Sequence, residues 1–211
     1  MPVTRKFVVN CPSEEFCREL LSMLLENLPS YNMYYRVRNN KIEINITGLK
    51  SDINYVWSMI KMYKQLLMST YTRDKEGLTN LPVKYIVMNI HKTFPPDILT
   101  TLLTIKGYKA KIEDDTIRTN ASKEEVFRLA EAIADRIQEL KYRVIGKIAK
   151  KIIVITSILF DTTIDEAISY LREWNILEEV EEDKYKAKTN FNQAVSTILR
   201  QYINTKDRDR G

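Results

Sequence analysis

Glycine is scarce in this chain, with five in 211 residues, and there is one histidine, His91. A phosphate-cradling loop needs clustered glycines, and none are clustered here. The two cysteines, Cys11 and Cys17, cannot make a four-ligand zinc site alone, and His91 is far off in sequence. Two thiols are too few for a disulfide framework, so Cys17, on the apolar side of a helix with Phe16, Leu20, Leu21 and Leu24, reads as a buried structural thiol. Glutamine is rare too, while Ile, Lys, Glu and Tyr are abundant, a balance that fits a heat-adapted composition. The longest apolar run, Ile152 to Phe160, is interrupted by Thr156 and Ser157 and falls well short of the roughly 18 residues that span a bilayer. With no leader-like start, the expectation is a cytoplasmic protein without membrane contact.

No charge of one sign dominates. Net charge is +5 and pI about 9.0. Lys+Arg against Asp+Glu is 11 to 8 over residues 1–78, 10 to 9 over 79–141, and 12 to 11 over 142–211. That permits nucleic acid as a partner without requiring it.

What is present is a repetition. Residues 34–47 read YYRVRNNKIEINIT and residues 109–119 read KAKIEDDTIRT: strand, two-residue polar turn, strand. The turns are Asn39-Asn40 and Asp114-Asp115. Ile42, Ile44 and Ile46 alternate with Glu43, Asn45 and Thr47, so one face is apolar. Each hairpin precedes an amphipathic helix, over 52–69 and from the Ser122–Glu125 capping box onward. Each follows an opening strand, 5–11 and 84–90, and a Pro-marked helix, which begins at Ser13 and at Asp97. Pro29 should stop the first of these helices and Gly107 should cap the second. Residues 70–82, without periodicity, read as a linker.

The last third departs from the pattern. Helices are expected over 142–158 and from Thr163, where Thr163 and Glu166 form a capping box. A strand (177–181), a turn at Glu182-Asp183, a return strand (185–189) and a helix from Asn190 to about Ile203 follow. The tail KDRDRG should be disordered. The expected fold class is α+β: two β-α-β-β-α repeats (1–78 and 79–141) and a small C-terminal domain (142–211).

Three resemblances bear on this plan. The segments KIEINITGLKSDINYVWSMI and TIRTNASKEEVFRLAEAI resemble the second half of a KH domain. That family grips RNA through a G-x-x-G loop between two helices. Neither copy carries the motif, so no site residue transfers. The segment AISYLREWNILEEVEEDKYKAKT is similar to the third helix and wing of winged-helix domains. The chain as a whole resembles uncharacterised archaeal proteins.

Candidate binding residues form two groups. Tyr34, Arg36 and Arg38 share one strand face, and Lys109, Lys111 and Arg118 take matching places in the second hairpin. Cations beside an aromatic suit phosphates and a stacked base. The competing interpretation is a solvated face with cross-strand pairs such as Arg38 with Glu43. Arg143, Lys147, Lys150 and Lys151 fall on one side of a helix, opposite Ile145, Ile148, Ile152 and Ile155, and suit a phosphate backbone.

The exposed positions of the helix from Thr163 are Asp165, Glu166, Ser169, Arg172 and Glu173, and its hairpin carries Glu178, Glu179, Glu181, Glu182 and Asp183. That acidic surface opposes entry into a DNA groove and suits a protein partner. No catalytic residue, cofactor or metal site is expected. His91 reads as structural, at the end of a strand. The leading expectation is a non-catalytic RNA-binding protein associated with ribosomes or another ribonucleoprotein. A protein-interaction adaptor using the acidic hairpin ranks second and a DNA-binding regulator third.

Overall fold

The structure is a computed structural model that describes residues 2–28, 31–143, 146–181 and 184–208. Pro29, Ile145, the Glu182-Asp183 turn and the tail beyond Arg208 lie outside the described residues. The protein is α+β, with antiparallel sheets, and it divides into two compact units, residues 1–73 and 74–211.

In the first unit β1 (Val3–Asn10), α1 (Glu14–Asn27), β2 (Asn32–Arg38), β3 (Lys41–Gly48) and α2 (Lys50–Tyr71) follow in order. The sheet order is β1-β3-β2. Asn39 and Asn40 both take the left-handed conformation, φ 47° and 57°, as a tight hairpin turn requires. Alternation then sends Val9, Ile42, Ile44 and Ile46 into the core. They meet Phe16, Leu20 and Leu24 of α1 and Ile53, Val56 and Ile60 of α2, all buried. Ser13 caps α1 by accepting from the Phe16 amide, with Glu14 and Glu15 in the first turn where the helix dipole favours them. Phe7 stacks on Trp57, ring centres 4.4 Å apart.

The cysteines are not free thiols: Cys11 and Cys17 form a disulfide. Pro12 and Ser13 turn the chain back at once, so α1 starts beside the end of β1 and the two Cα atoms stand 5.5 Å apart, within bridging range. The Cys11 amide also donates to the Asn40 carbonyl at 2.8 Å, tying this corner to the hairpin turn.

The second unit begins differently from the sequence expectation. Residues 84–90 are not a strand; they lie in α3 (Val83–Ile90), and the opening strand is β4 (Thr79–Pro82), inside the stretch read as a linker. The run Tyr85-Ile86-Val87 looks strand-like, but its buried members Tyr85, Ile86 and Ile90 fall on one helical face. In β4 only Leu81 is buried, too little for a period of two to register.

The chain continues through α4 (Pro96–Ile105), β5 (Ala110–Glu113), β6 (Thr116–Thr119) and α5 (Lys123–Glu139). Gly107, at φ 92°, ends α4: its amide reaches the Thr104 carbonyl and the next amide reaches Leu103, both at 3.0 Å. Ser122 caps α5 by accepting from Glu125. Sheet order β4-β6-β5 repeats that of the first unit.

The remainder is α6 (Lys147–Leu159), α7 (Ile164–Glu173), β7 (Leu177–Glu181), β8 (Lys184–Ala187) and α8 (Phe191–Arg208). Helix α6 starts five residues later than expected, with Gly146 as its N-cap. Ile152 to Ser157 are all buried, because α4, α5, α7 and α8 pack around α6. Thr156 and Ser157 are satisfied there by carbonyls of their own helix, Ile152 at 2.8 Å and Val154 at 3.0 Å. The Thr163–Glu166 capping box forms in both directions. Helix α8 runs through residues 206–208, so the expected disordered tail does not begin at Lys206. No described helix is long and apolar enough to cross a membrane.

Candidate nucleic-acid interface

With both helices of the first unit on the apolar face of the sheet, the opposite face is open. Strand register places Lys6, Val8 and Asn10 of β1, Lys41, Glu43 and Asn45 of β3, and Tyr34, Arg36 and Arg38 of β2 together there. All but Glu43 and Asn45 are exposed; Tyr34 is 69% and Val8 48% accessible. Four cations therefore share a face with one acid. Lys6 bonds to Glu43 at 2.9 Å. That bond and charge, with Arg36 and Arg38 adding to them, hold the Glu43 carboxyl below the usual carboxylate range. The cross-strand partner of Glu43 is Arg36; Arg38 faces Lys41. Among the described residues, Arg36, Arg38 and Lys41 take part in no ion pair. Lys6 and Lys41 are members of this face that the sequence reading missed, although the same alternation carries them.

The second hairpin matches in shape but differs in charge. Counting from the turns, Lys109 corresponds to Tyr34, Lys111 to Arg36, and Arg118 to Glu43. Arg118 donates from Nε to Asp74 Oδ2 at 2.9 Å and also grips Glu113. Lys111 lies 3.2 Å from Glu113 and 3.5 Å from Glu76. Arg118 lowers the Asp74 and Glu113 carboxyls, and those carboxylates raise the Arg118 guanidinium. Asp74 also accepts from the Glu76 and Leu78 amides, so this arginine is locked into a folded turn. Lys109 is exposed and precedes β5.

The cations at 143–151 do not form one helical strip. Arg143 precedes α6 and bonds to Asp165. Lys151 bonds to Asp97 and stands 5.6 Å from the Phe191 ring centre. Lys147 and Lys150 lie in the first turn of α6. On the acidic side, Glu179 pairs with Arg172 at 3.2 Å and Glu181 with Lys184, while Glu178 is exposed. His91 closes α3 in the left-handed conformation, φ 54°, so it ends a helix rather than a strand. No group of three or more metal-ligating side chains occurs among the described residues.

These features define a two-unit α+β protein with duplicated three-stranded sheets, one bearing a cationic open face. The chain belongs to the family described as "Uncharacterized protein conserved in archaea (DUF2067)", whose model matches residues 9–196. No curated protein and no solved structure matches it.

Proposed function

We propose that the protein is a non-catalytic RNA-binding protein that lays a single strand across the open face of the β1-β3-β2 sheet. The carrying observation is Arg38 directly opposite Lys41 on that face. Like charges facing each other across a hairpin are destabilising, and a bound phosphate removes the conflict. Arg36 and Lys6 extend the cationic track, and Tyr34 offers a ring for a base to stack on. The first unit also carries most of the net charge: ten Lys+Arg against six Asp+Glu, compared with 23 against 22 in residues 74–211. We extend this reading to a role within the ribosome or another ribonucleoprotein.

The KH-like reading of the two repeats belongs to this proposal. What supports it is their common sheet order and, in the second unit, the succession β4-α3-α4-β5-β6-α5. The winged-helix-like reading of residues 142–211 is supported by two helices followed by a hairpin.

The test is fluorescence anisotropy of a labelled oligouridine against the full-length protein over a salt series. Affinity should fall steeply from low to moderate salt, because each phosphate contact releases counterions. A flat response, or no binding at low salt, overturns the proposal.

A protein-adaptor role at β7 is the second reading. It is favoured by Glu178, Glu179 and Glu181 flanking Val180, which is 47% exposed.

A further inference from the structure

In the second unit, β5 is an edge strand, paired among the described residues only with β6. The Asn120 amide donates to the Lys109 carbonyl at 3.3 Å, which fixes the ladder phase. In an antiparallel pair, bonded residues alternate with unbonded ones. Lys109, Lys111 and Glu113 therefore turn their backbone groups toward β6. Ala110 and Ile112 turn theirs outward, where they have no partner among the described residues.

They face a groove of about 520 Å³ between α4, β5 and α8. Helix α8 packs on α6 and forms the far wall with Phe191, Val195 and Leu199. Thr100, Thr101 and Thr104 line the α4 side. Each of their hydroxyls bonds to a carbonyl of α4 itself, at 2.7 to 3.2 Å, so what they offer the groove is methyl groups. Ile112 is 42% exposed at its edge.

We infer that this groove binds an extended peptide of a second protein, added to the sheet as a strand antiparallel to β5. Unpaired strand backbone next to an apolar helix wall is what strand addition uses: main-chain bonds supply affinity and alternate side chains fill the groove. Both existing pairings of this sheet are antiparallel. Charge sets the peptide's polarity. Beyond one end of β5 stand Asp114 and Asp115, and beyond the other stands Lys109, none of them in an ion pair among the described residues. An antiparallel peptide begins beside the aspartates and ends beside the lysine. It carries a basic residue first, then apolar residues at every second position, then an acidic one.

A nucleic acid fits poorly here. Among the described residues, the one charged lining residue is Lys111, already held by Glu76 and Glu113, and the turn aspartates repel phosphate.

The test selects a displayed library of random octapeptides against the full-length protein, then uses the best peptide in synthetic, end-capped form. The enriched sequences should show the basic, alternating-apolar, acidic order. The peptide should slow hydrogen exchange at the Ala110 and Ile112 amides by roughly tenfold or more. Val195→Arg, which puts a charge into the groove, should weaken binding by roughly tenfold. Ile112→Pro should do the same, because that amide points away from the ladder and proline is tolerated at such edge positions. Either variant, shown to be folded by its thermal melt, serves if the other fails to fold. Selection without the alternating order, unchanged exchange at those amides, or undiminished binding in the folded variants overturns the inference. So does a loss of oligouridine affinity in these variants with no loss of peptide binding.

Discussion

Arg118 binds Asp74 from 44 residues away, and it stands at the hairpin position that Glu43 holds in the first unit. One position thus carries opposite charge in two similar hairpins. In the first, the lone acid leaves three neighbouring cations without ion pairs. In the second, Arg118 joins Lys111 in a network with Asp74, Glu76 and Glu113.

The network should be visible in acid. The Asp74 and Glu113 carboxyls sit below their ordinary range when folded, because Arg118 bonds to both. Their contribution to stability is complete above the unfolded carboxylate value, about 4, and drains away as pH falls through the lower folded values. Asp74→Asn should lower the melting temperature near neutral pH by a few degrees. That gap should close as pH drops below about 4. An equal gap at both ends of the pH range would show that the charge is not what matters.

The disulfide gives a second prediction. It closes a short loop that lies mostly in α1, with Cys17 fully buried. Constraining such a loop in the unfolded chain is worth about 2 kcal/mol. Reductant should lower the melting temperature of the wild type and leave Cys11→Ser unchanged. Alkylation of the unreduced, denatured protein should label neither cysteine.

The open sheet face gives a third. Arg36→Ala, Arg38→Ala and Lys41→Ala combined should abolish most oligouridine binding at moderate salt. The slope of log affinity against log salt should shrink by about 2, at roughly 0.7 per phosphate contact on a single strand. Thermal stability should hold or rise, because the Arg38–Lys41 conflict disappears. An unchanged slope would mean that the RNA lies elsewhere.

Tyr34 separates stacking from charge. Tyr34→Ala should cost about 1–3 kcal/mol in RNA affinity with little salt dependence, while Tyr34→Phe keeps the affinity. At 69% exposure neither change should disturb folding, which circular dichroism would check.

Much of the fold is legible because its signals are local. Polar pairs between alternating apolar residues mark the two hairpins, and Ser13, Ser122 and Thr163 mark three helix starts. Strand β4 and helix α3 are not legible, because a four-residue strand with one buried side chain has no pattern and a run rich in Ile and Val mimics a strand. At the candidate interface, Tyr34, Arg36 and Arg38 follow from alternation alone. The partners of Lys151, Arg143 and Arg118 do not, because the carboxylates that meet them come from 54, 22 and 44 residues away.

Seven described residues other than glycine sit in the left-handed conformation: Asn39, Asn40, His91, Asp114, Asp115, Asp161 and Asn175. A sequence so poor in glycine has a stiffer denatured ensemble, with fewer backbone states to surrender on folding. Part of the stability of such a chain is written into what it cannot do when unfolded.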